Sequence, residues 1–335
     1  MLNRLYKHDE SLNDDLLKHF WVVTCISNPV RYNSRYRLYS RFAKQMEDAG
    51  IKLVTVEQAF GDRPFEITQQ GNPYHLQVRT LEEVWHKENM LDLGIQHITT
   101  SLDPNAGYFA TVDADVAPMM PMKDWMFETF HELQHNHVVQ MFETAYDLNP
   151  DDIVINNPQV SFMSKYIKTG CVQPVRGGFW TDEFYTVHGH PGFAWGYTRD
   201  AIDRLGGLID FAVLGAGDRH MCLGLVGCMD QSFENKTSGY VRELMQWEAR
   251  AERWIKRDVG YVKASLYHYW HGKKKDRGYT DRWKILRDNS FDPSTDLKYD
   301  AQGLLQLETW DLRQMNLRDQ IRAYMRSRNE DSIDT

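Results

Sequence analysis

Two aspartates separated by one small residue, Asp113 and Asp115, close an apolar, β-branched run in YFATVDADVAP, Tyr108 to Pro118. The run from Tyr108 to Val112 predicts a mostly buried strand. In an open α/β sheet, ligands gather outside the carboxyl ends of the strands. Residues two apart in an extended chain share a side, so both carboxylates are expected to face one Mn²⁺ or Mg²⁺, cations that take carboxylates and substrate phosphates together. Asp-x-Asp alone is equally the mark of a solvated acidic turn. The chemistry it suggests therefore needs phosphate-binding and proton-accepting groups elsewhere in the chain.

Four other places offer them. His268 and His271, three apart in HYWHG, have the spacing of a ligand pair on a turn, and Lys273, Lys274, Lys275, Arg277, Arg282 and Lys284 follow. Asn28, Arg31, Ser34 and Arg35 gather in NPVRYNSR between an expected strand and helix, where anions bind; a solvated basic helix face fits them as well. Glu57, at the expected exit of a second strand, suits a ribose or base hydrogen bond, or is a surface acid. Asp218 ends the flexible GAG turn and opens a helix, as either an N-cap or an exposed general base. A fifth motif competes: FHELQHNHVV holds His131, Glu132 and His135 in the HExxH pattern of zinc proteases. Val138 and Met141 stand where the metzincin continuation has Gly and His. The alternative for these two histidines is the surface of an amphipathic helix.

The elements that must position these groups begin with Phe20 to Ile26, a continuous apolar run typical of a parallel sheet. Next comes a helix with Leu38, Phe42 and Met46 at i, i+4 spacing, ending at Gly50. Ile51 to Val56 predicts the second strand, and FEITQQGNPYHLQVRT a hairpin-like excursion around Gly71-Asn72-Pro73. Leu81 to Ile98 and Asp124 to Leu148 predict helices, Asn156 to Trp180 a turn-rich passage over the site, and Arg199 to Leu205 a short helix. Gly260 to Tyr267 predicts a last strand, Leu304 to Met325 a C-terminal amphipathic helix, and the chain from Asn329 is expected to fray. The β-α-β-α-β order implies a Rossmann-like half. The lack of GxGxxG or Walker motifs argues against a dinucleotide dehydrogenase or P-loop enzyme.

The 335 residues, 42% of them hydrophobic, suffice for one large α/β domain. A net charge of −8 argues against broad attraction to nucleic acid or anionic membrane. Cys25, Cys171, Cys222 and Cys228 have neither paired CxxC spacing nor scaffold density, and are expected as buried free thiols. With a polar start and no apolar run near eighteen residues, the protein is expected to be soluble and cytoplasmic, without membrane insertion.

In their order along the chain, from Phe20 to Leu286, these pieces resemble the GT-A-fold glycosyltransferases, and among them the β-1,4-galactosyltransferase type. NPVRYNSR is similar to that family's nucleotide-binding segment, with looser spacing. WHKENMLDLGI is similar to its helix before the metal motif, which implies donor contacts from Lys87 and Asn89. Asp113-Ala114-Asp115 corresponds to the metal motif, PGFAWGYTRDAIDRLGGLIDFAVLGAGD to the acceptor segment, and HYWHG with Arg277 and Arg282 to the last metal ligands and basic loop. One departure stands out: the family has consecutive acids where Arg219 follows Asp218.

The resemblance implies an α/β fold with a GT-A (Rossmann-like) mixed sheet flanked by helices. A lead-in (1–18) and a C-terminal helical extension (291–335) would bracket a transferase domain (19–290). It implies a Mn²⁺-dependent (or Mg²⁺-dependent), inverting transfer from a nucleotide-sugar donor, with UDP expected, to a hydroxyl of a glycan, a protein or a modified nucleobase. Asp218 is the implied base. Asn28, Arg31, Arg35, Glu57, Lys87, Asn89, Asp113 and Arg277 are the implied donor contacts, and Asp113, Asp115, His268 and His271 the implied metal ligands. The rivals are a zinc hydrolase built on residues 131–135 and a nucleotide-sugar-binding module without turnover.

Overall fold

The structure is a computed structural model and describes residues 15–170, 187–273, 276, 278 and 282–333. In chain order the strands are β1 (Phe20–Ser27), β2 (Leu53–Phe60), β3 (His75–Thr80), β4 (Tyr108–Val112), β5 (Val116–Pro118), β6 (Val138–Gln140), β7 (Thr144–Asp147), β8 (Gln159–Val160), β9 (Ala194–Thr198), β10 (Val259–Tyr261), β11 (Ser265–His268), β12 (Leu297–Tyr299) and β13 (Leu305–Leu307). The helices used below are α1 (Asn33–Asp48), α2 (Lys87–His97), α3 (Met122–Glu132), α4 (Phe162–Thr169), α5 (Arg199–Leu205), α6 (Gly217–Leu225) and α7 (Leu312–Ser327).

Seven strands form the central sheet in the order β10-β6-β9-β4-β1-β2-β3. All neighbours are parallel except β9, which runs against both β4 and β6. A second sheet, β5-β11-β7-β8, sits beyond the end of β4. This is the mixed α/β fold, with a mostly parallel sheet flanked by helices, that the resemblance implies. The mostly apolar β1 reads as it does because it is buried on both faces, with Val22 and Val23 fully covered. Helix α2 lies directly on it: a Cβ at Gly94 would come within 2.5 Å of Val23 Cγ1, so only glycine permits this approach. Cys25, Cys222 and Cys228 are free thiols, and burial pushes Cys25 up to about 12; Cys171 lies outside the described residues. No helix among the described residues is long and apolar enough to cross a membrane.

Several expected elements are corrected. The second strand starts at Leu53 and runs to Phe60, so Glu57 lies inside it. The hairpin is absent: after a long loop, β3 pairs parallel with β2. Helix α2 starts only at Lys87, because residues 81–86 are held in an irregular path by tertiary bonds, Trp85 N–H to the Val213 carbonyl (2.9 Å) and His86 Nε2 to the Leu305 carbonyl (2.6 Å). The helix expected from Asp124 to Leu148 ends at Glu132, since Val138 to Gln140 are claimed as a strand between β9 and β10. The expected Gly260 to Tyr267 strand divides into β10 and β11, which belong to different sheets. The passage expected to be turn-rich contains α4, capped by the Ser161 hydroxyl, which accepts from Ser164 N–H (3.2 Å); residues 171–180 lie outside the described residues. Leu305 to Leu307 form a strand ahead of α7. The C-terminal segments join the main core, where Leu304, Leu317 and Ile321 are fully buried with Val23 and Met90.

Candidate active site

The second sheet is what assembles the chemistry. Strand β4 is pinned at its end by Thr24 Oγ1, which donates to the Val112 carbonyl (2.8 Å), and by Asp113 N–H, which donates to the Phe193 carbonyl (2.9 Å). The chain then turns, Val116 N–H reaching the Asp113 carbonyl at 3.4 Å, and enters β5, which pairs antiparallel with β11 so that His268 stands opposite Val116. Tyr269 N–H donates to the Asp115 carbonyl (2.8 Å), fastening the aspartate to the histidine turn. Asp115 Oδ2 is consequently 3.1 Å from His271 Nε2 and 3.9 Å from His268 Nε2, and the two Nε2 atoms are 3.2 Å apart. Among the described residues, these three form the group whose ligand atoms all lie within 4.8 Å of one another.

This donor set fits a divalent cation. Two imidazoles and a carboxylate suit first-row metals, and the ring orientation is set from behind. Parallel pairing puts His268 beside Asp147 of β7, whose Oδ1 is 2.7 Å from His268 Nδ1. Asn156 Nδ2 (2.5 Å) and Gln159 Nε2 (2.7 Å) donate to the other carboxylate oxygen and fix it. A carboxylate on Nδ1 holds that nitrogen protonated and turns the Nε2 lone pair toward the metal position. Asp147→Ala is expected to lower Mn²⁺ affinity about 10- to 100-fold with the fold retained, as read by calorimetric titration of the metal.

Asp113 does not join the ligands. Because residues 113–116 turn, the two-residue alternation of an extended chain no longer applies, and Asp113 Oδ1 instead meets Lys87 Nζ at 2.5 Å. Burial pushes Asp113 up to about 6, with Lys87 opposing and Asp115 and Asp218 adding to the rise. Burial by itself would depress Lys87, but Asp113, Asp218 and Glu88 outweigh it and hold the ammonium firmly charged. Asp218 faces the same cluster. Lys87, Glu88, Asp113 and Asp218 line one narrow cavity, with Gly192 and Trp195 on its wall. The capping alternative for Asp218 is corrected: Ala216, at φ 82°, is the N-cap residue of α6, and Asp218 sits in the first turn. Its Oδ1 accepts from Arg219 N–H (2.8 Å), and its Oδ2 would lie 2.5 Å from a Cβ at Gly192, which only glycine avoids.

A larger cleft, of about 160 Å³, opens beside the Asp115, His268 and His271 group and is bounded by Arg35, Lys87, Asp113, Asp115, His271 and Glu330. The other expected donor contacts are distributed differently. Asn28 closes its own loop through both bonds to the Tyr32 backbone, each 2.9 Å. Arg31 is exposed and paired with Glu66. Glu57 is buried, and its carboxylate accepts from the N–H groups of Glu66 (2.6 Å) and Thr68 (2.7 Å) and from the Thr68 hydroxyl (2.6 Å), so it organises a loop. Asn89 is buried and anchors the C-terminal strand, donating to the Gly303 carbonyl (3.1 Å) and accepting from Leu305 N–H (2.9 Å). Arg277 lies outside the described residues.

The tail from Asn329, expected to fray, instead builds one wall of the cleft. Glu330 is buried and bidentate on Arg35 (2.5 and 2.7 Å), with Arg328 Nε at 2.8 Å. Asp331 accepts from the N–H groups of Asn33 (2.9 Å) and Ser34 (2.8 Å), capping the start of α1, whose own N-cap residue Tyr32 makes no side-chain cap. Burial works against the Glu330 charge, but Arg35, Arg328 and His271 overcome it and hold the carboxyl well below the usual range. Its contribution is therefore present above the unfolded value near 4.5 and is lost as pH falls below it. Removing one partner of this pair leaves a buried charge uncompensated, and with Arg35 a quarter exposed the expected cost of Glu330→Ala is about 3 kcal/mol at neutral pH. Urea unfolding should show that difference shrinking between pH 5 and pH 3.

Sequence reasoning missed Glu88, Asp147, Glu330 and Asp331. Glu88 stands in the first turn of a helix of mixed composition and carried no signal of its own; the other three belong to segments whose place is set by distant partners.

No family model matches the chain, and no curated protein matches it. Among solved structures, a Drosophila β-1,4-galactosyltransferase 7 mutant in complex with manganese, UDP-Gal and xylobiose is similar at 9% identity and TM-score 0.38, over 87% of this chain and 95% of that one. A Bacillus anthracis protein described as a glucose-1-phosphate thymidylyltransferase, in complex with sucrose, is similar at 6% identity and TM-score 0.37, over 84% of this chain and 98% of that one. Superpositions this loose assign no roles to side chains, and the site rests on its own geometry.

Proposed function

We propose that the protein is a divalent-metal-dependent glycosyltransferase that moves a sugar from a nucleotide diphosphate, UDP, to a hydroxyl acceptor with inversion. The observation that carries this reading is the convergence of Asp115, His268 and His271 at the carboxyl end of β4, beside Lys87 and Asp113 and facing Asp218 across adjoining cavities. A bound Mn²⁺ supplies neutralisation of the charge that builds on the leaving diphosphate. Lys87 and Arg35 place fixed positive charge along the same cleft, Asp113 orients Lys87, and Asp218 receives the acceptor's proton. The acceptor is a glycan, a protein side chain or a modified nucleobase.

Thermal melts with a panel of nucleotide sugars, with and without Mn²⁺, test the reading. Stabilisation by UDP-sugars only when Mn²⁺ is present is the expected result; stabilisation by none of the panel overturns it. The zinc-hydrolase alternative is not favoured, because α3 ends inside the motif, leaving His131 and His135 exposed with their rings 5.4 Å apart and outside the ligand group. Replacing both by Ala is expected to leave transfer within about three-fold, as surface substitutions do. Complete loss of activity together with one equivalent of zinc would reverse that assignment.

A further inference from the structure

Glu88 is an acid that the reading above leaves without a task. Its side chain is 4% exposed, yet among the described residues Oε2 has no hydrogen-bond partner. A carboxyl oxygen buried in that state costs stability unless something else takes it up. The carboxyl lies across the N-terminus of α6: a Cβ at Gly217 would fall 2.6 Å from Glu88 Cδ and 2.7 Å from Oε1, so glycine there makes room for it. The cavity it lines also holds Asp218, Lys87 and Asp113, with Phe193 and Trp195 forming an apolar wall. Burial above all pushes Glu88 up to about 8, with Lys87 opposing and Asp218 adding to the rise.

We propose that Glu88 is an acceptor-binding carboxyl: with Asp218 it grips the attacking hydroxyl, Glu88 holding the oxygen through Oε2 while Asp218 takes the proton. The pairing is invisible in sequence, where Asp218 is followed by Arg219 and Glu88 lies 130 positions earlier. Glu88 and Asp218, on different helices, line the same small cavity, and a space of that size suits a single hydroxyl. In the step itself the hydroxyl oxygen bonds to the donor's anomeric carbon, and the bond from that carbon to the diphosphate breaks. The electron pair leaves with the diphosphate, and the hydroxyl proton passes to Asp218. Glu88 changes no bond and fixes the direction of attack.

This rests on the transferase reading, and the experiment separates the two. Water serves as the acceptor, so the probes are UDP-galactose, UDP-glucose and UDP-N-acetylglucosamine with Mn²⁺, alongside calorimetry of UDP and Mn²⁺ binding. Glu88→Met keeps the volume without the hydrogen bond, and Glu88→Gln restores a polar group of the same shape. E88M is expected to lower kcat for hydrolysis about 10- to 100-fold, with KM for the UDP-sugar and affinity for UDP within about two-fold, and E88Q to recover most of the loss. Melting temperatures confirm that both variants are folded. Turnover unchanged in E88M, a KM effect without a kcat effect, or no recovery in E88Q would overturn the inference. So would a wild type that binds UDP with Mn²⁺ but cleaves no donor. A wild type that does not bind UDP overturns the transferase reading and takes this inference with it.

Discussion

Asp115→Ala is expected to abolish metal-dependent turnover, by at least about 10³-fold, while leaving the protein folded. The carboxylate contributes one of three converging ligand groups, and the loss of a metal that neutralises a leaving diphosphate costs several kcal/mol of transition-state stabilisation. Stability should change little, within about 1 kcal/mol, because the side chain lies beyond the buried part of β4 and its backbone carbonyl, which receives Tyr269 N–H, is untouched. Calorimetric titration of Mn²⁺, a melting curve and a turnover assay on the one variant decide the matter. A folded variant with full metal-dependent activity would remove Asp115 from the metal position.

For Asp218→Asn the expected result is a fall in the chemical step of about 10²- to 10⁴-fold with UDP affinity preserved. Asparagine keeps the shape of the side chain, including an oxygen able to accept from Arg219 N–H, but no longer takes a proton. A capping role would have predicted nearly normal turnover, since Asn caps as well as Asp. Ala216 holds the N-cap position itself, while Asp218 sits in the first turn and accepts from Arg219 N–H. Near-normal turnover in the folded variant would eliminate Asp218 as the base.

The order of the chemistry was legible in the chain itself. β1, β4 and α5 lie where hydrophobic periodicity and helix-ending glycines put them, because each is defined by local burial pattern and backbone freedom. Asp115, His268 and His271 were recognisable as candidate ligands for the same reason, being polar groups at strand ends with ligand spacing, and the structure brings them together. Tertiary structure decided the rest. Asp113 and Asp115 part company because a turn replaces the extended chain, and Lys87, arriving on another element, takes the first of them. The long helix through HELQH fails because Val138 to Gln140 gain more as a strand between two others than as helix, a competition that local propensity does not contain. Glu57 and Asn89 carry the residue types of ligand contacts, but Glu57 accepts hydrogen bonds from the loop that follows its strand, and Asn89 bonds to backbone groups of the distant C-terminal strand. Asp147 and Glu88 acquire their places only through strand register and helix packing, and Glu330 and Asp331 through a tail that folds back. Such positions are set by contacts between residues far apart in the chain, and neither composition nor spacing encodes them.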